Sequence, residues 1–234
     1  MELLTGGLAE AWRLLTSLDA EVFQIALLTI EVSGLATLIA LAIGVPLGTW
    51  LAFSRFRGRR AAVGAVNAGM GMPPVVVGLV VSILLWRSGV LGFLGLIYTP
   101  AAIVIGQVVI ALPVVIALTV AAMQQIDPAL RLQIRALGAS RWQSLLLLMQ
   151  EVRLALLAVA MAGFGAAISE VGASMMVGGN IAGHTRVLTT ATVLEVSKGR
   201  FEVAIALSVL LVLIILAVTM ILTRSQQRAF RRNG

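Results

Sequence analysis

The residues able to do chemistry are few and lie close together. Residues 169–200 hold the only histidine, His184, together with Glu170, Ser174, Asn180, Thr185, Arg186, Thr189 and Thr190. A serine near an imidazole invites nucleophilic catalysis. A nucleophile also needs a positioned base and an oxyanion hole, and spacing alone supplies neither. A metal site needs several ligands, and no others cluster around His184 in the sequence. Met175-Met176 read more readily as packing than as a soft-metal pair. The chain has no cysteine, which excludes disulfides, thiolate metal sites and cysteine nucleophiles. There is no Gly-x-x-x-x-Gly-Lys-Ser/Thr phosphate loop, and Lys198 is the only lysine. We therefore expect no catalytic residue, no metal and no bound cofactor. What remains is donor chemistry: glycine amides, hydroxyls and Arg186 are the groups that hold a tetrahedral dianion. Each hydroxyl has an ordinary alternative as a helix–helix or capping bond. Arg186, Lys198 and Arg200 have one as solvent-facing or docking side chains.

The elements that carry these residues are written for lipid. The chain is 60% hydrophobic and 12% charged, with a mean hydropathy of +1.05. A soluble domain usually has about a quarter charged residues. The net charge of +7 is scattered between apolar stretches without interleaved aromatics, so it reports orientation and not nucleic acid. No cleavable leader is visible at the N-terminus, so insertion is expected from the spans themselves. Five stretches are apolar enough for bilayer helices of about 20 residues: 22–53, 61–86, 100–123, 145–168 and 203–223. The period is not that of a membrane barrel. Arg55, Arg57, Arg59 and Arg60, then Arg131, Arg135, Arg141 and Arg153, then Arg224, Arg228, Arg231 and Arg232 cluster on one side. The positive-inside rule puts that side in the cytoplasm, the N-terminus outside and the C-terminus inside. The expectation is an all-α integral membrane protein of the cytoplasmic (inner) membrane, with residues 1–234 forming one multi-pass domain.

Within that frame several local features are expected. Residues 1–20 read as an outer amphipathic helix with Leu4, Leu8, Trp12, Leu15 and Leu18 on one face. The first span exceeds the bilayer core, so it tilts or its Glu31 end protrudes, and Gly44-Val45-Pro46-Leu47-Gly48 should bend it. Pro73 and Pro74 fall near the middle of the second span and Pro113 inside the third. They mark either packing kinks or a broken, path-lining backbone. Residues 169–200 are too polar and too broken to span. Closely spaced Gly172, Gly178, Gly179 and Gly183 let backbone approach backbone or ligand, and Glu170 needs a polar cavity or a partner. This segment, with Pro73 and Pro74, is the candidate gate and solute path.

Residues 125–144 form the turn between the third and fourth spans. Asp127 suits an N-cap and Pro128 the first helical position. A short helix follows, with Leu130, Ile134 and Leu137 on one face and Arg131 and Arg135 on another. Gly138 ends it in the left-handed region. Such a helix fits a groove on a soluble partner.

This turn resembles the coupling loop of binding-protein-dependent ABC importer permeases. Leu137-Gly138-Ala139-Ser140-Arg141-Trp142 carries the likeness, whereas Leu132, Gln133 and Ile134 stand where the family has Glu-Ala-Ala, and Glu151 stands near its proline. The likeness extends over the five spans. It implies a MetI-like permease core that couples through Arg131, Arg135, Ala136, Leu137, Gly138, Ala139, Ser140 and Arg141. It also implies a second copy of the chain, two ATPase subunits that carry ATP and Mg, and an extracytoplasmic solute-binding protein. Ser169-Glu170-Val171-Gly172-Ala173 and Gly179-Asn180 resemble the oxyanion branch of that family, which serves molybdate, sulfate and tungstate. Residues 178–181, 185–190 and 197–199 look most like tungstate-type permeases. The resemblance implies a path or gate at Pro73, Pro74, Glu170, Gly172, Ser174, Gly178, Gly179, Asn180, Thr185 and Arg186. The competing readings are a stand-alone carrier or channel, and an intramembrane hydrolase built on Ser174 and His184. A carrier usually shows internal repeats and intramembrane charges, and neither is evident.

Overall fold

The computed structural model describes residues 2–17 and 19–231. The side chains of Leu4, Leu15 and Leu18, expected on the apolar face of the first helix, lie outside the described residues. So do the side chains of Arg228 and Arg231, and Arg232 altogether.

Among the described residues the secondary structure is entirely helical. The α-helices are α1 (Glu2–Ser17), α2 (Ala20–Phe53), α3 (Arg59–Met70), α4 (Pro74–Leu85), α5 (Pro100–Gln124), α6 (Pro128–Ala136), α7 (Arg141–Glu151), α8 (Arg153–Ile168), α9 (Gly172–Gly178), α10 (Leu188–Ser197) and α11 (Phe201–Arg231), with a 3-10 turn at Gly92–Leu94. Three helices, α2, α5 and residues 201–224 of α11, are long and apolar enough to cross a bilayer alone. Counting each bent pair, α3–α4 and α7–α8, as one span raises that number to five.

Of the two readings of Pro73 and Pro74, a broken backbone is the one found: α3 and α4 meet at 101°. Gly71 ends α3, Pro73 is the N-cap residue of α4 and Pro74 opens it. Proline lacks the N–H that a continuing helix would need but fits a first turn, so the chain restarts there. The fourth span is bent by 73° at Val152, between α7 and α8.

By contrast, residues 44–48, expected to bend the first span, do not interrupt it: α2 runs through Pro46 as one helix. Its glycines serve close packing instead. A Cβ on Gly44 would lie 2.6 Å from Val115, and one on Gly48 would lie 2.8 Å from the Ile116 carbonyl. A glycine pair four residues apart lets two lipid-embedded helices approach at backbone distance, where van der Waals contact and not water drives association. Likewise α5 continues through Pro113, whose ring abuts Gly69 of α3.

The core forms where α2, α4, α5, α8 and α9 meet, and its buried members are mostly small or β-branched: Val32, Ala36, Ala40, Val77, Val81, Ala111, Val115, Val159 and Val177. Large apolar side chains face outward instead, as Leu35, Leu38, Ile83 and Leu216 do, which is the pattern expected when lipid is the solvent.

Helix α1 packs on α11 through a face other than its bulky apolar stripe. Gly7 and Ala11 are buried, with Gly7 against Ile205 and Ala11 in a cluster with Ala206. Leu8 and Trp12 are 57% and 71% exposed. Small residues allow α1 to reach α11, and the bulky stripe is left for lipid. On the same helix Arg13 donates to Glu10 at 2.7 Å, and this bond holds the Glu10 carboxyl below its usual range.

Candidate transport site

The glycine-rich segment folds as α9, a turn and α10. Glu170 organises it. Its Oε1 accepts the Ala173 N–H at 2.7 Å, capping the first turn of α9, and its carbonyl accepts the Thr189 hydroxyl at 3.0 Å, tying in α10. Glu170 is only 5% exposed, so burial is compensated by hydrogen bonding to the carboxylate. The turn closes through Gly179 and Asn180, both in the left-handed region at φ 71° and 51°. Asn180 Nδ2 donates to the Thr190 carbonyl at 3.3 Å.

The threonine hydroxyls, open in the sequence to anion donation or to ordinary internal bonds, are spent inside the protein. Thr185 donates to the Gly178 carbonyl at 2.6 Å and accepts the Ile181 N–H at 2.9 Å. Thr190 donates to the Val187 carbonyl at 3.0 Å and accepts the Val187 N–H at 3.1 Å. Thr29 of α2 accepts the Leu188 N–H at 2.9 Å. A backbone group without a partner in lipid costs several kcal/mol, so an irregular segment at this depth must satisfy itself. Of the two readings open for these hydroxyls, the ordinary internal bond is the one found for Thr185, Thr189 and Thr190. Ser174 differs: it is 1% exposed, and its hydroxyl has no partner among the described residues. Arg186 pairs with Glu21 of α2 at 3.2 Å, while its Nε is buried without a hydrogen-bond partner. His184 is exposed in the turn.

The glycines hold this segment against its neighbours. A Cβ on Gly78 of α4 would lie 2.6 Å from the Ala173 Cα, one on Gly172 2.8 Å from Val75, and one on Gly178 2.8 Å from Ile103. Pro73 and Pro74 thus start the helix on which α9 rests.

Sequence reasoning missed Glu21, Thr29, Gly78 and Gln107. Gln107 is 2% exposed in the middle of α5, and its Oε1 has no partner. A polar residue inside an otherwise apolar span was the signal for it. No sequence signal pointed to Gly78 or to the Glu21–Arg186 pair.

At the arginine-rich end, α6 and α7 form the expected turn. Asp127 accepts the Ala129 N–H at 2.8 Å, and Pro128 opens α6. Gly138 has φ 78°, as foreseen. Ser140 and Gln143 form a capping box on α7, which the sequence reading did not identify. Ile134 anchors α6 in a buried cluster with Met123, Ile126 and Leu148. Leu137 does not share that face, contrary to expectation: it is 87% exposed, and Leu132 is 67% exposed. Arg135, Ala136, Ser140 and Arg141 are exposed, and Ala139 is half-buried. Arg131 turns inward, its guanidinium 4.1 Å from the centre of the Phe53 ring.

A helical bundle with large apolar side chains on its outer faces and an arginine-rich turn at one end has the make-up of a membrane protein. Residues 44–233 match the binding-protein-dependent transport system inner membrane component family, and the chain belongs to that family. It is therefore a multi-pass inner-membrane transport subunit and not an enzyme. It is 39% identical over 227 residues to the tungstate uptake system permease protein TupB of Peptoclostridium acidaminophilum, covering 97% of this chain and 100% of that one. With TupB of Campylobacter jejuni it shares 35% identity over 92% and 90% of the two chains. With the molybdenum transport system permease ModB of Escherichia coli K12 it shares 27% over 89% and 97%. The fold is that of the MetNI methionine ABC transporter in its inward-facing conformations, with a TM-score of 0.67 at 20% identity over 92% of this chain and 95% of the other.

Proposed function

We propose that the chain carries tungstate, a tetrahedral oxyanion, inward as the permease of an ATP-binding-cassette importer. The observation that carries the cargo is end-to-end similarity to permeases named for tungstate uptake. Two copies pair around a central path, since one five-span bundle encloses little space and cyclic pairing is the commonest way to build an axis. Two ATPase subunits bind ATP and Mg and seat on residues 125–144, at Arg131, Arg135, Ala136, Leu137, Gly138, Ala139, Ser140 and Arg141. An external binding protein delivers the anion.

Closure of the ATPases draws the two turns together and opens the path outward. Pro73, Pro74, Gly172, Gly178, Gly179, Asn180 and Thr185 form the framework of the outer gate, with Glu170 as its internal brace. Among the candidate gate residues, the donors left over for a passing anion are Ser174 and the Nε of Arg186, both buried in this conformation. Opening the gate exposes them. Binding there is weak, because a permeation site that held the anion tightly would trap it.

The test is ATPase activity of the chain reconstituted in liposomes with its ATPase and binding protein. Stimulation that requires both the binding protein and tungstate supports the reading. Stimulation by molybdate instead transfers the cargo to the molybdenum-named relatives. Anion flux through the chain alone, without an ATPase, overturns it. Gly138→Leu forces a side chain into the left-handed region, at about 1–2 kcal/mol. It should abolish stimulation while leaving membrane insertion intact.

A further inference from the structure

We infer that Gln107 of α5 and Ser174 of α9 together form an uncharged contact site for the passing oxyanion, shut in this conformation and opened when α9 parts from α5. This rests on the transport reading above and adds to it a path residue on a membrane-spanning helix.

The two helices run in opposite directions and meet through small residues. A Cβ on Gly178 would lie 2.8 Å from Ile103, and one on Gly106 would lie 3.7 Å from the Ala173 Cβ. Four residues before Gly178 on α9 stands Ser174, and four after Ile103 on α5 stands Gln107. Residues four apart share one face of a helix, so these two are opposed across the same seam. They are 1% and 2% exposed, and neither the Ser174 hydroxyl nor the Gln107 Oε1 has a partner among the described residues. The hydroxyls of Thr29, Thr37, Thr192 and Thr219 settle on the carbonyl four residues back, at 2.6–2.8 Å. In that place Ser174 has the Glu170 carbonyl, which takes the Thr189 hydroxyl instead.

A buried polar group without a partner destabilises a fold, and leucine would fill the place of Gln107 at no such cost. Polar side chains at membrane depth mark the routes of solutes. The seam suits a tetrahedral oxyanion, which needs donors around it. Ser174 offers one hydrogen, and the Gln107 amide offers two once it rotates about its last bond. Neither group carries charge, so the anion is steadied without being trapped. The nearby Glu170 carboxylate is spent on the Ala173 N–H.

The chain has no cysteine, so single cysteines can be introduced into an otherwise unaltered protein. Gln107→Cys and Val115→Cys are assembled in nanodiscs with the ATPase and binding protein and exposed to an anionic thiosulfonate. Val115 is the control, buried in the same helix against Gly44 and Gly163. We expect labelling of the Gln107→Cys chain only during ATP turnover, slowed by tungstate, and none of the Val115→Cys chain. In liposomes, Gln107→Leu removes the amide but keeps the place filled. It should deliver about tenfold less tungstate per ATP hydrolysed, the weight of one hydrogen bond to an anion, with a thermal midpoint unchanged or raised. Gln107→Asn keeps an amide and should recover most of that delivery. Full delivery by Gln107→Leu overturns the proposal. So does a Gln107→Cys chain that stays unlabelled through turnover or is not protected by tungstate, and so does equal labelling of Val115→Cys, which makes the exposure a general loosening. If the unaltered importer responds to no oxyanion at all, the transport reading falls first and this site with it.

Discussion

The two ends of the molecule solve opposite problems. The outer segment, residues 169–200, is polar in sequence, and its threonine hydroxyls are turned onto its own backbone. The turn at residues 125–144 also closes its own caps, yet it leaves Leu132 and Leu137 bare. Irregular backbone at membrane depth has no water to fall back on, so it must be self-satisfied. A turn outside the bilayer can hold its shape with two caps and one buried anchor, and can present apolar surface to a partner. Polar residues in the first region therefore report architecture, and apolar residues in the second report association.

That contrast can be broken in order of expected effect. Gly78→Val puts a Cβ 2.6 Å from the Ala173 Cα, a clash with backbone that no rotamer relieves. It should destabilise the purified protein by about 3 kcal/mol, read as a lowered thermal midpoint in detergent. Glu170→Ala removes the α9 cap and leaves a buried N–H unpaired, costing about 2 kcal/mol. Glu170→Gln keeps an acceptor and should recover most of that stability. If Glu170→Gln melts like the wild type yet loses transport, the carboxylate charge works in the path and the scaffold reading of this residue fails. Smallest in stability is Leu132→Ala/Leu137→Ala, below about 0.5 kcal/mol for exposed positions. Its effect should appear instead as weaker ATPase capture and lost stimulation, and normal coupling in that variant would remove the distinction between the two ends.

The turn was legible because its signals are local. Asp127, Pro128 and Gly138 specify start and stop within a few residues, and the structure follows them from cap to cap. The outer segment was legible only as an irregular, glycine-rich interruption. Its bonds join residues far apart, such as Leu188 to Thr29, 159 positions away. The candidate residues there were found by type, and their partners by the fold alone. The helix breaks divide in the same way. Pro73-Pro74 restarts the chain, whereas Pro46 and Pro113 sit in helices that continue, with Gly44, Gly48 and Gly69 packed closely around them.

By itself the sequence determined the solvent, the number of apolar stretches, the clustering of arginine at one side and the caps of the α6 turn. Each follows from composition or from contacts within one helical turn. Only the tertiary structure decided the 101° and 73° directions taken at the breaks, the small-residue face by which α1 docks on α11, and the use of Thr185, Thr189 and Glu170 as internal braces. Those outcomes depend on which distant surface is available to satisfy a polar group or accept a close approach. No local pattern encodes that choice.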